Sequence, residues 1–212
     1  MSKSFYNNYI KRALDVVISL IGLPFFVFLI IPISILIKIE DGGPVFYCAK
    51  RLGKNGIYFR MYKFRSMKAN SPDLRLSDGS TYNAEDDPRL TRIGKFLRVS
   101  SLDEMPQIIN VLIGSMSLIG PRPDININRM YPEKSFAKLR VKPGITGYNQ
   151  AYFRNQNDWL EKLENDNFYI EKLSFLFDLK IFIRSFYVVL KRENTFKPKT
   201  NAVNSLGEEK IL

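Results

Sequence analysis

The longest stretch of the chain without a charged residue covers residues 16–37, which read VVISLIGLPFFVFLIIPISILI. As a helix, these 22 residues are long enough to cross the ~30 Å hydrocarbon core of a bilayer. Pro24 lies near the middle, where it removes a helical hydrogen bond and disfavours helix at Leu23. Pro32 adds a second interruption. The pattern therefore predicts a membrane helix with a break.

The charges on either side of this apolar run bear on its topology. Cations stand both before and after it: Lys3, Lys11 and Arg12, then Lys38, Lys50, Arg51 and Lys54. The positive-inside rule then places both ends in the cytoplasm. A re-entrant helix–break–helix, bent at Pro24, satisfies both the charges and the proline. A spanning helix satisfies only the length, and a buried helix of a soluble core is a third interpretation.

The last apolar stretch, residues 175–192, reads FLFDLKIFIRSFYVVLKR and differs from the first. Asp178, Lys180 and Arg184 interrupt it, and each would be costly at the centre of a bilayer. Polar residues gather on about half of its helical wheel. This pattern predicts an amphipathic helix. Such a helix either lies in the membrane interface with its cations toward lipid headgroups or packs on the protein core.

Between these two segments the pattern predicts a mixed α/β body. Residues 45–49 and 57–64 are rich in β-formers and flank GKNG, which predicts a hairpin. The polar segment 69–89 predicts a long loop. Residues 91–99, 104–113 and 158–173 predict helices. We therefore expect an α+β protein in three parts: an N-terminal membrane helix (1–40), a small α/β body (41–193) and a polar C-terminal tail (194–212).

Composition narrows the chemistry that this body can perform. A net charge of +11 and a pI near 9.7 indicate anionic partners, which are nucleic acid, acidic membrane or phosphorylated small molecules. The absence of histidine excludes Ser–His–Asp catalysis and histidine-ligated metals. The single cysteine, Cys48, excludes an internal disulfide and a structural zinc site and indicates a reducing compartment. The groups that remain available for catalysis are carboxylates, lysine, tyrosine, hydroxyl groups and hard cations bound through oxygen.

Residues 100–123, SSLDEMPQIINVLIGSMSLIGPRP, hold an acidic pair among apolar residues. Proline is tolerated only in the first turn of a helix, so Pro106 predicts that Asp103 and Glu104 lie at a helix N-terminus. Backbone N–H groups there favour a carboxylate or a bound phosphate. Either the acids only cap the helix, or they belong to a site that handles an anion.

Nearby cations favour the second interpretation. Arg98 precedes the acidic pair, Arg122 is held between two prolines, and Lys63 and Arg65 end the second predicted strand. Guanidinium groups pair with phosphate oxygens in a two-pronged geometry. A diphosphate with Mg²⁺ fits such a cluster, because Mg²⁺ typically takes one or two carboxylates together with substrate phosphates.

Together these motifs resemble the small monotopic phosphoglycosyl transferases of bacteria, the sugar transferases that begin surface-glycan and glycoprotein assembly. The resemblance runs from about residue 9 to residue 192. It rests on YNNYIKRALDVVISLIGL, GGPVFYCAKRLGKNGIYFRMYKFRSMK, DPRLTRIGKFLRVSSLDEMPQIINVLIGSMSLIGPRP, KPGITGYNQ and FDLKI. It implies a catalytic body (41–193) seated on one leaflet through a re-entrant helix, at the cytoplasmic face of the bacterial inner membrane.

The implied activity is transfer of a phosphosugar from a UDP-sugar to a polyprenol phosphate, undecaprenyl phosphate, with release of UMP and with Mg²⁺ as cofactor. The resemblance makes Asp103 the nucleophile and a magnesium ligand, and Glu104 its partner. The phosphate-binding positions that it implies are Lys63, Arg98 and Arg122, with Arg65 and Arg154 as further phosphate, nucleotide or sugar contacts. Expected partners are these substrates, the phospholipid membrane and later glycosyltransferases of the same pathway.

The chain departs from the family pattern in places. The break is Leu23–Pro24 where the family often has Ser–Pro, Ser115 stands where an aspartate is frequent, and Tyr148 replaces a frequent tryptophan. These differences bear on substrate choice more than on reaction type. Two other functions stay open, a membrane-tethered nucleic-acid binder and a non-catalytic scaffold. Nucleic acid is not the expected partner, because the aromatic residues lie in apolar segments instead of alternating with cations.

Overall fold

The computed structural model describes residues 3–74, 82–125, 133–154 and 156–191, with two further short segments, 202–203 and 209–210. Its helices are α1 (Lys3–Asp41), α2 (Arg92–Val99), α3 (Gln107–Ile113), α4 (Tyr148–Tyr152), α5 (Trp159–Lys172) and α6 (Phe175–Lys191). Its strands are β1 (Phe46–Leu52), β2 (Tyr58–Phe64), β3 (Ser117–Ile119), β4 (Gly144–Thr146), β5 (Ala202–Val203) and β6 (Glu209–Lys210). Short 3₁₀ segments cover Lys54–Gly56, Leu102–Glu104 and Glu133–Arg140.

These elements confirm the mixed helix and sheet class. The predicted helices 91–99 and 158–173 correspond to α2 and α5. The side chain of Asp158 caps the start of α5, accepting a hydrogen bond from the Glu161 N–H at 2.8 Å. The predicted tail, 194–212, lies outside the described residues apart from β5 and β6, which pair antiparallel.

Helix α1 carries the long apolar run and continues through both prolines. Among the described residues it is the one helix long and apolar enough to cross a membrane. Its α-helical part runs over Lys11–Asp41, with Pro24 and Pro32 inside it, so the predicted division into two helices at Leu23–Pro24 is not confirmed. Leu23 and Phe26, on either side of Pro24, pack in one apolar cluster with residues of α2, α3 and β2, and this packing favours a continued helix.

Polar contacts attach both ends of α1 to the same body. Near its start, the Lys11 ammonium binds the carboxylate of Asp178 in α6. At its end, the Glu40 carboxylate accepts a hydrogen bond from the Ile93 N–H at 3.0 Å, at the start of α2. The helix between these contacts is about 44 Å long. A helix held to one body at both ends is compatible with a monotopic protein and disfavours a simple span.

Helix α6 is amphipathic, as its sequence predicts, and packs on the core. Asp178 and Ile181 are buried, and Arg184 donates a hydrogen bond to the Ala151 carbonyl at 3.3 Å. Asp178 and Arg184 therefore contact the protein, as packing on the core predicts, whereas a position of α6 in the membrane interface stays a prediction. Protein partners compensate the desolvation of both charges, which leaves the apolar side of the helix facing outward.

Large apolar side chains cover the outer surface of α1 and α6. On α1, Ile21, Phe28 and Ile39 are 73%, 74% and 77% exposed, and on α6 Leu190 is 81% exposed. Soluble surfaces rarely present contiguous apolar areas of this kind, and such areas mark contacts with membrane or protein. The outer faces of both helices are therefore the candidate membrane-contacting surface.

The predicted hairpin is confirmed and is fastened to α3. Strands β1 and β2 pair antiparallel from Phe46↔Phe64 to Leu52↔Tyr58. The Asn110 side chain of α3 accepts a hydrogen bond from the Tyr62 N–H at 2.9 Å and donates one to the Arg60 carbonyl at 2.7 Å. Asn110 thus satisfies backbone groups of β2 as a neighbouring strand would. This fastening brings the end of β2 beside the turn that precedes α3.

The parallel pair of β3 and β4 carries the loop that follows β3. The two strands pair at Ser117↔Gly144 and Ile119↔Thr146. A Cβ atom on Gly144 would lie 2.1 Å from the backbone nitrogen of Gly120, so only glycine allows the two segments to approach this closely. The segment with Arg122 leaves the pair immediately after Gly120.

Candidate active site

The acidic pair lies in the 3₁₀ turn Leu102–Glu104, between α2 and α3. Helix α3 begins at Gln107, directly after Pro106 and three residues later than the predicted start at 104. No side-chain cap hydrogen bond is made at the start of either the turn or α3. The interpretation in which the acids only cap a helix is therefore wrong, and both carboxylates are available for other contacts.

Glu104 is held by two cations. One of its oxygens, Oε1, accepts from the Lys63 ammonium at 2.6 Å and from the Arg122 guanidinium at 3.0 Å. Burial alone would raise the pKa of Glu104, but the charges of Arg122 and Lys63 outweigh it and lower the pKa to about 2. The Arg122 side chain remains 53% exposed, so its guanidinium also faces the open side of the site.

Asp103 has the opposite environment. It is buried, 8% exposed, and within the residues that the structure describes its carboxylate makes no hydrogen bond or ion pair. Burial raises the pKa of Asp103 above its usual range, and the charge of Lys63 opposes this shift. Adjacent carboxylates whose pKa values move apart have different chemical roles. Glu104 organises the cations, whereas Asp103 is left for a reacting group.

Arg98 forms part of the wall beside Asp103. Its Nε donates to the Ser66 hydroxyl and its Nη1 to the Asn83 side chain, each at 3.0 Å. Burial lowers the pKa of Arg98, and the negative charge of Asp103 opposes that shift. An arginine nevertheless stays charged in proteins. Asn83 belongs to the predicted long loop, so this loop helps to build the site.

The two weaker phosphate candidates lie in different places. Arg154, whose backbone is left-handed with φ 49°, donates from Nη2 to the Ser101 hydroxyl at 3.2 Å and so reaches the segment just before the acidic pair. The Arg65 guanidinium pairs with Asp41 at the end of α1 and donates to the Pro44 carbonyl at 2.5 Å. Arg65 is therefore engaged in holding α1, and its predicted phosphate contact stays a prediction.

The model of the bacterial sugar transferase family matches residues 6–192 of the chain. The chain belongs to the bacterial sugar transferase family. The match includes α1 from Tyr6 onward, the hairpin, the acidic turn, the segment after β3 and α6. The resemblance inferred from the sequence motifs is thereby confirmed.

Curated relatives of this chain include proteins that are named as enzymes of undecaprenyl phosphate. The chain is 38% identical over 189 residues to the UDP-N-acetylgalactosamine-undecaprenyl-phosphate N-acetylgalactosaminephosphotransferase of Aeromonas hydrophila, covering 86% of this chain and 44% of the relative. It is 39% identical over 184 residues to the UDP-glucose:undecaprenyl-phosphate glucose-1-phosphate transferase of Escherichia coli, covering 82% and 39%. It is 35% identical over 187 residues to the exopolysaccharide production protein ExoY of Sinorhizobium fredii, covering 82% and 83%. The chain thus spans about two fifths of the length of the first two relatives.

The carboxylates of this family member fit magnesium only together with a ligand. No group of three or more acidic, histidine or cysteine side chains able to hold a metal ion occurs among the described residues. Asp103, buried and without a hydrogen bond in that part of the chain, offers one carboxylate. Mg²⁺ typically completes its octahedral shell with substrate phosphates and water. The donor set therefore fits a magnesium ion shared with a bound diphosphate.

Sequence reasoning missed the polar residues that attach α1 to the site region. Buried Asp15 accepts hydrogen bonds from the Ser117 hydroxyl at 3.1 Å and from the Leu118 N–H at 2.9 Å, both in β3. Arg12 donates to the Leu112 carbonyl at 2.9 Å, at the end of α3. The one signal in the sequence is the charge pattern of KRALD at the border of an apolar helix, because charged residues at such a border need polar partners.

Proposed function

We propose that this protein transfers a sugar phosphate from a UDP-sugar to undecaprenyl phosphate at the cytoplasmic face of the bacterial inner membrane, releasing UMP. The observation that carries the proposal is the contrast between the paired acids. Asp103 is buried and uncommitted within the described residues, while Glu104 holds Lys63 and Arg122. The named reactions of the Aeromonas and Escherichia relatives support it.

In the first step, the Asp103 carboxylate attacks the phosphorus that carries the sugar. A bond forms between an Asp103 oxygen and this phosphorus, and the bond from the phosphorus to the bridging oxygen of the diphosphate breaks. UMP leaves with the electron pair of that bond, and the enzyme holds an aspartyl phosphosugar. Covalent catalysis of this kind splits the reaction of two anions into two easier steps.

In the second step, a phosphate oxygen of undecaprenyl phosphate attacks the same phosphorus. The bond to Asp103 breaks, which frees the carboxylate and yields undecaprenyl diphosphate sugar. Of the two roles open to Glu104, positioning the lipid phosphate or accepting its proton, its environment supports the first. The low pKa of Glu104 makes it a weak base but keeps it ionised, so that it holds the two cations that would position the lipid phosphate.

Fixed cations make both steps possible. Lys63, Arg98 and Arg122 surround the acids, and preorganised charges of this kind stabilise charge that develops on phosphoryl oxygens. Mg²⁺, when bound with Asp103 and the donor diphosphate, would supply further neutralisation of the phosphates. The nucleophile itself is an anion, Asp103, and the cations around it are needed because both substrates are anions as well.

The membrane geometry follows from the attachment of α1. We propose that the exposed apolar faces of α1 and α6 enter one leaflet, while the body stays at the headgroup surface. Ile21, Phe28 and Leu190 would then contact acyl chains. We also propose that α1 enters and leaves the same leaflet as a re-entrant segment. This geometry holds the acidic turn close to the depth at which a lipid phosphate lies.

Arg122 and Arg65 are expected to respond differently to the same substitution. Arg122→Lys keeps the charge but removes the planar guanidinium, and kcat/KM for the UDP-sugar should fall by about 10–100-fold. Arg65→Lys weakens the contacts to Asp41 and Pro44, and should lower thermal stability while kcat/KM stays within about threefold. Steady-state UMP release and thermal unfolding measure both. Equal losses of kcat/KM would show that Arg65 also contacts the donor.

The proposed function is tested by a UMP-release screen. The protein in membrane fractions, with Mg²⁺ and undecaprenyl phosphate, is given a panel of UDP-sugars that starts with N-acetylated sugars and includes UDP-glucose. The relatives that use N-acetylgalactosamine and glucose match the chain almost equally, at 38% and 39% identity, so the panel has to cover both. Release of UMP that requires the lipid phosphate is expected. A folded protein that releases none with any donor would exclude the enzyme and favour a scaffold.

A further inference from the structure

The backbone on both sides of Arg122 is anchored to other parts of the body. Before it, the Pro121 carbonyl accepts a hydrogen bond from the Gly144 N–H at 3.0 Å. After it, the Asp124 carbonyl accepts one from the Leu52 N–H at 2.8 Å. These two contacts join the segment to β4 and to the end of β1. The position of the Arg122 guanidinium therefore depends on the contacts that anchor this segment to the rest of the body.

The side chain of Asp124 adds a third anchor through a buried lysine. The Lys138 ammonium lies 2.7 Å from an Asp124 oxygen and 2.8 Å from an Asp166 oxygen of α5. Lys138 is 7% exposed and Asp166 is 5% exposed. The Asn149 amide of α4 donates to the second Asp166 oxygen at 2.8 Å. We call these four residues the lysine cluster, and it joins the Arg122 segment to α4 and α5.

The energetics of the lysine cluster indicate that it fixes the geometry of the Arg122 segment more than it adds to the stability of the protein. Burial alone would lower the pKa of Lys138, but Asp166 and Asp124 outweigh it and raise the pKa, so the lysine stays charged. Buried ion pairs give little net stability compared with apolar residues, because desolvation offsets their attraction. What such a pair does supply is a defined geometry. A displacement of about 1 Å at a substrate-binding group lowers rates by large factors.

We propose that Asp124 and Lys138 are positioning residues for Arg122. Their ion pair holds the segment after β3 in the place where the Arg122 guanidinium meets Glu104 and, in turnover, the donor phosphate. The identity of the ligand rests on the proposed function. The positioning of Arg122 against Glu104 does not, because it is a property of the protein alone.

A purely electrostatic role for Asp124 predicts the opposite result. The negative charge of Asp124 acts on Arg122 and helps to raise its pKa, after the larger contribution of Glu104. If Asp124 acted by charge alone, its neutralisation would leave Arg122 more attractive to an anion, and KM for the UDP-sugar would fall. If it positions Arg122, its neutralisation displaces the guanidinium and KM rises. The sign of the change decides between the two.

Asp124→Asn and Asp166→Asn form a matched pair for this test. Lys138 is bound by two carboxylates, and each substitution replaces one of them by an amide of the same size and leaves the other in place. We expect Asp124→Asn to raise KM for the UDP-sugar about tenfold. Asp166→Asn, which is farther from Arg122 in the cluster, should leave KM within about twofold while lowering the unfolding temperature more. A KM that falls or stays unchanged in Asp124→Asn would overturn the proposal.

A second measurement needs no substrate. The effect of Glu104→Gln on unfolding by urea is determined in the natural chain and in Asp124→Asn. If Asp124 places Arg122 against Glu104, the two substitutions are coupled, and Glu104→Gln costs less stability in the Asp124→Asn background. Coupling without UMP release would refute the proposed function but keep the positioning, whereas additive effects would overturn the positioning itself.

If Asp124→Asn does not fold, Lys138→Arg, which keeps the cluster's charge, should show the same rise in KM, and an unchanged KM would overturn the proposal.

Discussion

Replacing Asp103 by asparagine is expected to reduce UMP release by roughly 10³-fold or more. An amide has the size of the carboxylate but does not form the bond to phosphorus on which the first step depends. Because the Asp103 carboxylate makes no hydrogen bond within the described part of the chain, the substitution removes no contact seen there. Initial rates of UMP release and the thermal unfolding temperature, which should be unchanged or slightly higher, measure both expectations.

Intact-protein mass after incubation with donor alone identifies the residue that carries the phosphosugar. The natural chain should gain the mass of one sugar phosphate on Asp103, and Asp103→Asn should gain none. Glu104→Gln is the matched control, since it makes the same chemical change at the next position and leaves Asp103 in place. It should still gain the adduct, although more slowly because Lys63 and Arg122 lose their shared partner. Normal turnover without any adduct would exclude the two-step mechanism.

Replacing Asp178 by alanine is expected to destabilise the protein by about 3–5 kcal/mol. Asp178 is 4% exposed and accepts hydrogen bonds from the Tyr6 hydroxyl at 2.7 Å and the Tyr169 hydroxyl at 2.8 Å, in addition to its ion pair with Lys11. Its removal leaves the Lys11 ammonium buried without its ion-pair partner and loosens α1 from α5 and α6. Urea unfolding of the protein in detergent or nanodiscs measures the loss.

Two further variants separate the buried charge from general effects on α6. Lys180→Met changes an exposed charge on the same helix and should alter stability by no more than about 0.5 kcal/mol. Lys11→Met combined with Asp178→Asn removes both charges and should recover part of the stability that Asp178→Ala loses. A loss in Asp178→Ala no larger than in Lys180→Met would show that the contact with α1 contributes nothing.

Local patterns predicted the elements whose causes are local. The hairpin, α2, α5 and α6 were found because β-branched and aromatic runs, turn residues and apolar periodicity act within a few residues. The start of α3 was placed three residues too early, since Pro106 permitted more than one first turn. Pro24 and Pro32, together with the cations on both sides of the apolar run, predict a break in α1. Packing of Leu23 and Phe26 against the body, which local pattern does not report, accompanies a continuous helix instead.

The candidate site was predicted as a set of residues, but not as an arrangement. Lys63, Arg98 and Arg122 were expected near phosphates, and the structure brings all three around the acidic turn. Arg154 reaches the same segment through Ser101, whereas Arg65 is held by Asp41. Nothing in the spacing of Lys63, Glu104 and Arg122 along the chain indicates that one oxygen would bind both cations. That contact depends on the fastening of β2 to α3 by Asn110.

The amino-acid sequence by itself determined the family, the apolar helix and the chemistry that is excluded, because contiguous motifs, hydrophobicity and the absence of histidine do not depend on folding. Only the tertiary structure decided that Glu104 is committed to cations while Asp103 is buried and left for a reacting group. It also decided that both ends of α1 are held to one body. The physical reason is that desolvation and ion pairing depend on residues far apart in the chain, which come together only when the protein folds.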